Sequence, residues 1–142
     1  MIIFSDGSKH AYGAAAYCCF LILSRNYETV LIAAKSKITP AKQVTIPRIE
    51  LCAAVLSCRL REKIQHELDW QFESVYNLVD SAIVGDEIQK HSYKSNSYMG
   101  MRIAETPSKS NPSEWWRIRS EISPADMLTR PVTIQQIGSD KV

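Results

Sequence analysis

Apolar residues in this chain fall first in short continuous runs and then, past Pro40, at three- and four-residue steps; the change marks a passage from strands to helix. Met1 to Phe4 is rich in strand formers and runs into the turn-prone cluster Ser5-Asp6-Gly7-Ser8, so a first strand ends near Asp6. Gly13 to Leu23 is apolar on both faces and reads as a long internal strand. A turn over Arg25-Asn26-Tyr27-Glu28 leads to a third strand, Thr29 to Ile38, and short connections make the three an antiparallel meander. Ile49, Cys52, Ala53, Leu56, Leu60 and Ile64 then trace one helical stripe, with Pro47 suited to the first turn, which predicts a helix from Pro47 to Leu68. Phe72 to Val79 is the next strand, and a short helix from Ser81 to Gln89 follows Asp80 directly. Strand, helix, strand in this order implies parallel pairing through a right-handed crossover. Tyr98 to Glu105 reads as a helix or a strand, Pro107 to Ser113 as a loop, and Trp115 to Ile118 as the last strand. Ser123-Pro124-Ala125-Asp126 opens a short helix stopped by Pro131.

Composition narrows the class. With 142 residues, 45% apolar and 23% charged, the chain can build one core, so residues 1–130 are expected to form one domain and residues 131–142 a C-terminal tail. The longest apolar run, Gly13 to Leu23, is about half of what a membrane-spanning helix needs, and no basic leader precedes it; no membrane partner is expected. The abrupt start inside a strand suggests a piece of something longer. Cys18 and Cys19 point to opposite faces of a strand, while Cys52 and Cys58 lie about 240° apart on a helix, so the four cysteines read as small buried thiols of a reducing compartment. Net charge is only +2, but Lys35, Lys37, Lys42 and Arg48 occur with no acid among them, a stretch that is either solvated surface or a phosphate contact.

Chemistry concentrates in four acids. Asp6 and Asp80 each close a strand, and if those strands are parallel neighbours both carboxylates emerge at the sheet edge where α/β sheets place ligands. Glu50 lies in the first turns of the long helix, beside its apolar stripe. Asp126 stands third in a segment with Ser123 as N-cap and Pro124 at the first helical position. Each acid has an ordinary role as cap, turn residue or helix-dipole charge. Together at one edge they would repel one another and raise their pKa values unless a multivalent cation is present. Hard oxygen donors without histidine or thiolate suit Mg²⁺ or Mn²⁺, and two such ions about 4 Å apart activate water and stabilise a leaving oxygen in phosphodiester cleavage. His10, His66 and His91 have no zinc-like spacing, and no nucleophile elbow, phosphate-binding loop or dinucleotide fingerprint occurs.

Phe4-Ser5-Asp6-Gly7-Ser8, Ala11-Tyr12-Gly13-Ala14, Ala33-Ala34-Lys35-Ser36-Lys37, the stretch Ile46-Pro47-Arg48-Ile49-Glu50-Leu51-Cys52-Ala53-Ala54, Asp80-Ser81 and Ser123-Pro124-Ala125-Asp126-Met127-Leu128-Thr129-Arg130 together resemble the ribonuclease H domain of Pao/BEL-type LTR retrotransposon polyproteins. The resemblance implies an α/β, ribonuclease H-like fold: a mixed five-stranded sheet in the order 3-2-1-4-5 flanked by helices. It implies a site of Asp6, Glu50, Asp80 and Asp126 that holds two Mg²⁺ ions, with Mn²⁺ as a substitute, and cleaves the RNA strand of RNA/DNA hybrids. In that light Ser8, Lys35, Lys37, Arg48 and Ser81 are candidate substrate contacts, while Tyr12, Trp115 and Trp116 are expected to pack. The implied partners are the hybrid, a reverse transcriptase and other domains of a parent polyprotein, of which residues 131–142 would begin a further segment. The implied location is intracellular, in the cytoplasm or in virus-like particles. Alternatives are a nucleic-acid-binding remnant of the same fold and a DNA-directed nuclease or strand-transfer domain. Two departures stand out: Ser123 replaces the usual Asn, and no histidine follows His91 to serve the loop before the final Asp.

Overall fold

A computed structural model describes residues 1–42, 44–80 and 112–130. The helix expected at 81–89, the helix or strand expected at 98–105, Ser81, and the tail at 131–142 lie outside the described residues. Five strands form one sheet: β1 (Ile2–Gly7), β2 (Ala11–Ile22), β3 (Asn26–Ile38), β4 (Tyr76–Val79) and β5 (Trp115–Arg117). The order is β3-β2-β1-β4-β5, with β1 antiparallel to β2, β2 antiparallel to β3, and β4 parallel to both β1 and β5. The expected order and the expected mixed pairing are both present.

One helix, α1 (Ile46–Leu68), crosses between β3 and β4 and covers one sheet face. Pro47 stands at its start, where a missing N–H costs nothing, and Asp69 ends it in the left-handed conformation at φ 49°. Its apolar stripe splits over two clusters. Leu56, Leu60 and Ile64 pack with Met1, Ile3, Ala14, Ala16 and Val75, whereas Leu51, Ala54 and Cys58 pack with Val79 and Trp115. Small residues at Ala14 and Ala16 let the helix lie close to the sheet, and each large buried side chain contributes about 1.5–3 kcal/mol. Arg61 of α1 reaches the partly buried Glu114 with both guanidinium nitrogens, Nη1 to Oε2 at 2.5 Å and Nη2 to Oε1 at 3.4 Å, and so ties the helix to the approach to β5.

Several expectations change. The long second strand is internal only at its start: Gly13–Ala16 are buried, but Phe20, Leu21 and Ile22 are exposed. The reason is topological, because β1 stops pairing at Tyr17 and the β2–β3 hairpin runs on without a neighbour on that side. Its tip is a 3₁₀ turn at Leu23–Arg25, starting two residues earlier than expected and ending at Arg25 rather than Glu28. The fourth strand begins at Tyr76 rather than Phe72, where its register with Ile2 begins; Phe72 instead joins an edge-to-face chain of Phe20, Trp70 and Phe72. The final short helix is a 3₁₀ segment, Pro124–Leu128, and Ser123 makes no side-chain cap: its hydroxyl is buried without a partner. Cys18 and Cys58 are buried as expected, with burial pushing the Cys18 thiol up, but Cys19 is exposed and Cys52 half-buried. Trp115 is fully buried whereas Trp116 is more than half exposed. Among the described residues, no helix is long and apolar enough to cross a membrane.

Candidate active site

Strand register sets the first two acids side by side. Phe4 pairs with Leu78 and Ser5 with Val79 in the parallel β1–β4 ladder, so one further step brings Asp6 beside Asp80. Period-two alternation fixes their direction. Ile3 lies against α1, as does Val79, hence Asp6 and Asp80 sit on the opposite face, at the C-terminal edge of the two strands. Asp6 is 7% exposed and Asp80 is half-buried.

Glu50 arrives from α1. A Cβ at Gly7 would lie 2.9 Å from the backbone N of Glu50 and 2.9 Å from the carbonyl carbon and oxygen of Ile49, so only glycine lets the first turns of the helix touch the end of β1. Glu50 thereby stands at the rim of the edge that carries Asp6 and Asp80. The consequence is electrostatic. Burial first, then the Asp6 charge and a side-chain hydrogen bond with Asp6, then the Glu50 charge, push Asp80 up to about 6. Asp80 therefore feels both Asp6 and Glu50. The three do not form a closed cage: among the described residues, no group of three or more His, Cys, Asp or Glu side chains is gathered to hold a metal ion.

The fourth acid is turned aside. Asp126 pairs with Arg130 four residues on, Nε to Oδ2 at 2.9 Å and to Oδ1 at 3.0 Å. What links its segment to the site is Thr129, which stands in the sequence as the seventh residue of the stretch Ser123 to Arg130. The buried Thr129 hydroxyl donates to Asp6 Oδ2 at 2.5 Å, and the Thr129 backbone N–H donates to the Asp126 carbonyl at 3.2 Å. Ser8 completes the clasp by donating to the Thr129 carbonyl oxygen at 2.6 Å, while its own oxygen accepts from the backbone N–H groups of His10 and Ala11. The Ser8 hydroxyl thus already has internal partners. A signal for this role was present in the sequence, since a hydroxyl three residues after an acid in a terminal turn is placed to bond backbone or neighbouring carboxylate.

The basic candidates are dispersed. Lys35 and Lys37 pair with Ala14 and Tyr12 and so lie on the α1 face, where with Arg59 and Lys63 they line a groove of about 580 Å³. Asp6 faces the other way. Arg48 is half-buried in the first turn of α1, two residues before Glu50. A second cavity, of about 750 Å³, opens beside Asp80 and is lined by Arg117, Ile118, Arg119, Glu121 and Ile122.

Comparison with solved structures places the architecture. The N-terminal RNase H domain of Rv2228c from Mycobacterium tuberculosis, solved as a fusion with maltose-binding protein, aligns over 90% of this chain and 88% of its own length, at a TM-score of 0.65 and 13% identity. RNase H1 from the halophilic archaeon Halobacterium salinarum NRC-1 aligns over 89% of this chain and 92% of its own length, at 0.61 and 13%. At such identity the likeness concerns the fold. No curated protein sequence matches the chain. The family model for the Pao retrotransposon-like RNaseH-like domain matches residues 1–81, a span that includes Asp6, Glu50 and Asp80 and stops short of Asp126. By that match over more than half of its length, the chain belongs to the Pao retrotransposon-like RNaseH-like domain family.

Proposed function

We propose that this domain is a divalent-metal-dependent endoribonuclease that cleaves the RNA strand of RNA/DNA hybrids during reverse transcription of a retroelement. The observation that carries the reading is that Asp6 and Asp80 lie side by side at the C-terminal edge of β1 and β4, with Glu50 near enough for its charge to act on Asp80. Family membership supports an RNA/DNA hybrid as the substrate class, and the two aligned RNase H structures share the architecture.

The donor set fits a hard cation. Asp6, Glu50 and Asp80 offer only carboxylate oxygen, and burial first, then the Asp6 and Glu50 charges, raise Asp80 to about 6, a position a cation would relieve. These three would hold Mg²⁺, or Mn²⁺ in its place, with Asp126 as a fourth contributor once released from Arg130. When bound, such ions supply a nucleophilic water and charge stabilisation for the leaving 3′-oxygen. The chain's own residues orient the site. Thr129 holds Oδ2 of Asp6 and so fixes the orientation of that carboxylate. Ser8 fixes Thr129, and Gly7 admits the helix that brings Glu50. Lys35, Lys37 and Arg48 remain candidate backbone contacts along the hybrid, with a reverse transcriptase neighbour in a parent polyprotein supplying further grip inside the cell or virus-like particle.

The test is cleavage of a uniformly labelled RNA/DNA hybrid with and without Mg²⁺, beside duplex DNA at matched salt. Expected is cutting of the RNA strand alone, lost on chelation and in Asp6→Asn, which keeps volume while removing the charge. Hybrid binding without cleavage identifies a binding remnant, and equal cutting of duplex DNA identifies a DNA-directed nuclease.

A further inference from the structure

The cavity beside Asp80 has a use that the acids do not explain. It lies at the ends of β4 and β5, shares Asp80 with the proposed active site, and its volume of about 750 Å³ falls within the range of ligand-binding clefts. Two arginines line it. Arg117 closes β5, opposite Val79, and its Nε donates to the backbone carbonyl oxygen of Asp80 at 3.3 Å. That bond holds one edge of the guanidinium against the strand that carries a catalytic acid, so the remaining Nη groups have a defined place next to the site. Arg119 follows two residues later, is exposed, and has no ion-pair partner among the described residues. Asp80 and Glu121 are the other charged residues that line the cavity, so it carries two guanidinium groups and two carboxylates.

We propose that Arg117 and Arg119 form a phosphate-binding arm that grips the backbone of the cleaved strand next to the scissile phosphodiester. The inference rests on the proposed cleavage site and adds to it the contact that sets the strand's register. Arginine suits the task because its planar fork meets two phosphate oxygens at once and stays charged at every working pH. Aligning the backbone against Asp80 from a neighbouring phosphate lets binding energy remote from the reacting bond position it. The arm is also distinct from the basic face of Lys35 and Lys37, which lies across the sheet from Asp6.

Arg119→Ala and Arg119→Lys test the arm without disturbing a folded contact, and Arg117→Lys tests the anchored member. Arg25→Ala at the tip of the β2–β3 hairpin removes the same charge far from the site. Hybrid affinity is measured by fluorescence anisotropy in the Asp6→Asn background over a salt series, and KM and kcat are measured in the active parent. Expected is a rise in KM of about tenfold for Arg119→Ala, with the slope of log affinity against log salt reduced by about 1. Arg119→Lys should recover the slope but only part of the affinity, and Arg25→Ala should change neither. A parent that cleaves the hybrid while Arg119→Ala and Arg117→Lys keep parental affinity, KM and salt slope overturns the arm and leaves the cleavage reading standing. A parent that binds but does not cut, with the same losses in the variants, supports the arm and overturns the cleavage reading. A parent that neither binds nor cuts overturns both.

Discussion

Asp80 carries an acid's charge at a place that opposes it, and the sign of the effect is definite. Its folded value, about 6, lies above the ordinary value of 3.8, so the folded state holds the proton more tightly than the unfolded chain. Stability from this group is therefore present below pH of about 4, declines as pH rises toward about 6, and is flat above it. The carboxylate is only half-buried, and solvent screening holds the loss to about 1 kcal/mol. Denaturant midpoints in chelator across this window should fall for the parent and stay level for Asp80→Asn, which should be the more stable protein at neutral pH although inactive. Thr129 makes the complementary case, in which a neutral hydroxyl supports a charge. Thr129→Val keeps the shape and removes the donor to buried Asp6, which should cost about 2 kcal/mol and most of the hybrid cleavage. Thr129→Ser should restore both, whereas recovery in neither measure would make the methyl group, and not the hydroxyl, the feature that matters.

At the scale of elements, the parts that were legible in the sequence are those with strong periodicity or strong punctuation. The stripe from Ile49 to Ile64 and Pro47 announced α1, and Asp6 and Asp80, each ending an apolar run, announced the strand ends that the parallel β1–β4 register sets side by side. Less legible was anything decided by what lies beside an element. Phe20 to Ile22 read as buried because apolar composition cannot reveal that β1 is too short to pair with them. Ser123 read as a cap because its type and position suit one, yet the 3₁₀ geometry turns its hydroxyl inward without a partner. That correction changes an expected outcome. Asp126 holds a largely exposed Arg130 rather than the helix end, so Asp126→Ala should lower stability by less than about 0.5 kcal/mol, measured by denaturation, while lowering cleavage. Gly7 gives the opposite expectation. A methyl there meets backbone atoms of Ile49 and Glu50 and has nowhere to go, so Gly7→Ala should push α1 outward, cost about 2 kcal/mol and weaken cleavage by displacing Glu50. Parental midpoint and activity in that variant would mean the helix start yields easily and does not set the position of Glu50.

For the whole molecule, the question is how the segment after residue 111 stays attached to a body whose acids come mostly from earlier in the chain. Its described attachments include the short β4–β5 ladder of three residue pairs, the buried Trp115 packed on α1 and Val79, the Arg117 bond to the Asp80 carbonyl, the Arg61–Glu114 fork, and the Thr129 clasp on Asp6 and Ser8. The fork and the clasp sit at opposite ends of this segment and share no residue. If each stabilised the fold independently, their losses would add within about 0.5 kcal/mol. A segment that undocks as one piece behaves differently, because once one end is released the other no longer gains by being closed, and local undocking competes with global unfolding. Arg61→Ala also strips the partly buried Glu114 carboxylate of its guanidinium, so the single change should cost about 3 kcal/mol. We therefore expect Arg61→Ala combined with Thr129→Val to cost clearly less than the sum of the two, and hydrogen exchange at Trp115–Arg117 to accelerate in either single variant before α1 is affected. Additive losses in the four-protein cycle, with exchange rising evenly across β5 and α1, would mean that the segment and the body unfold as one unit.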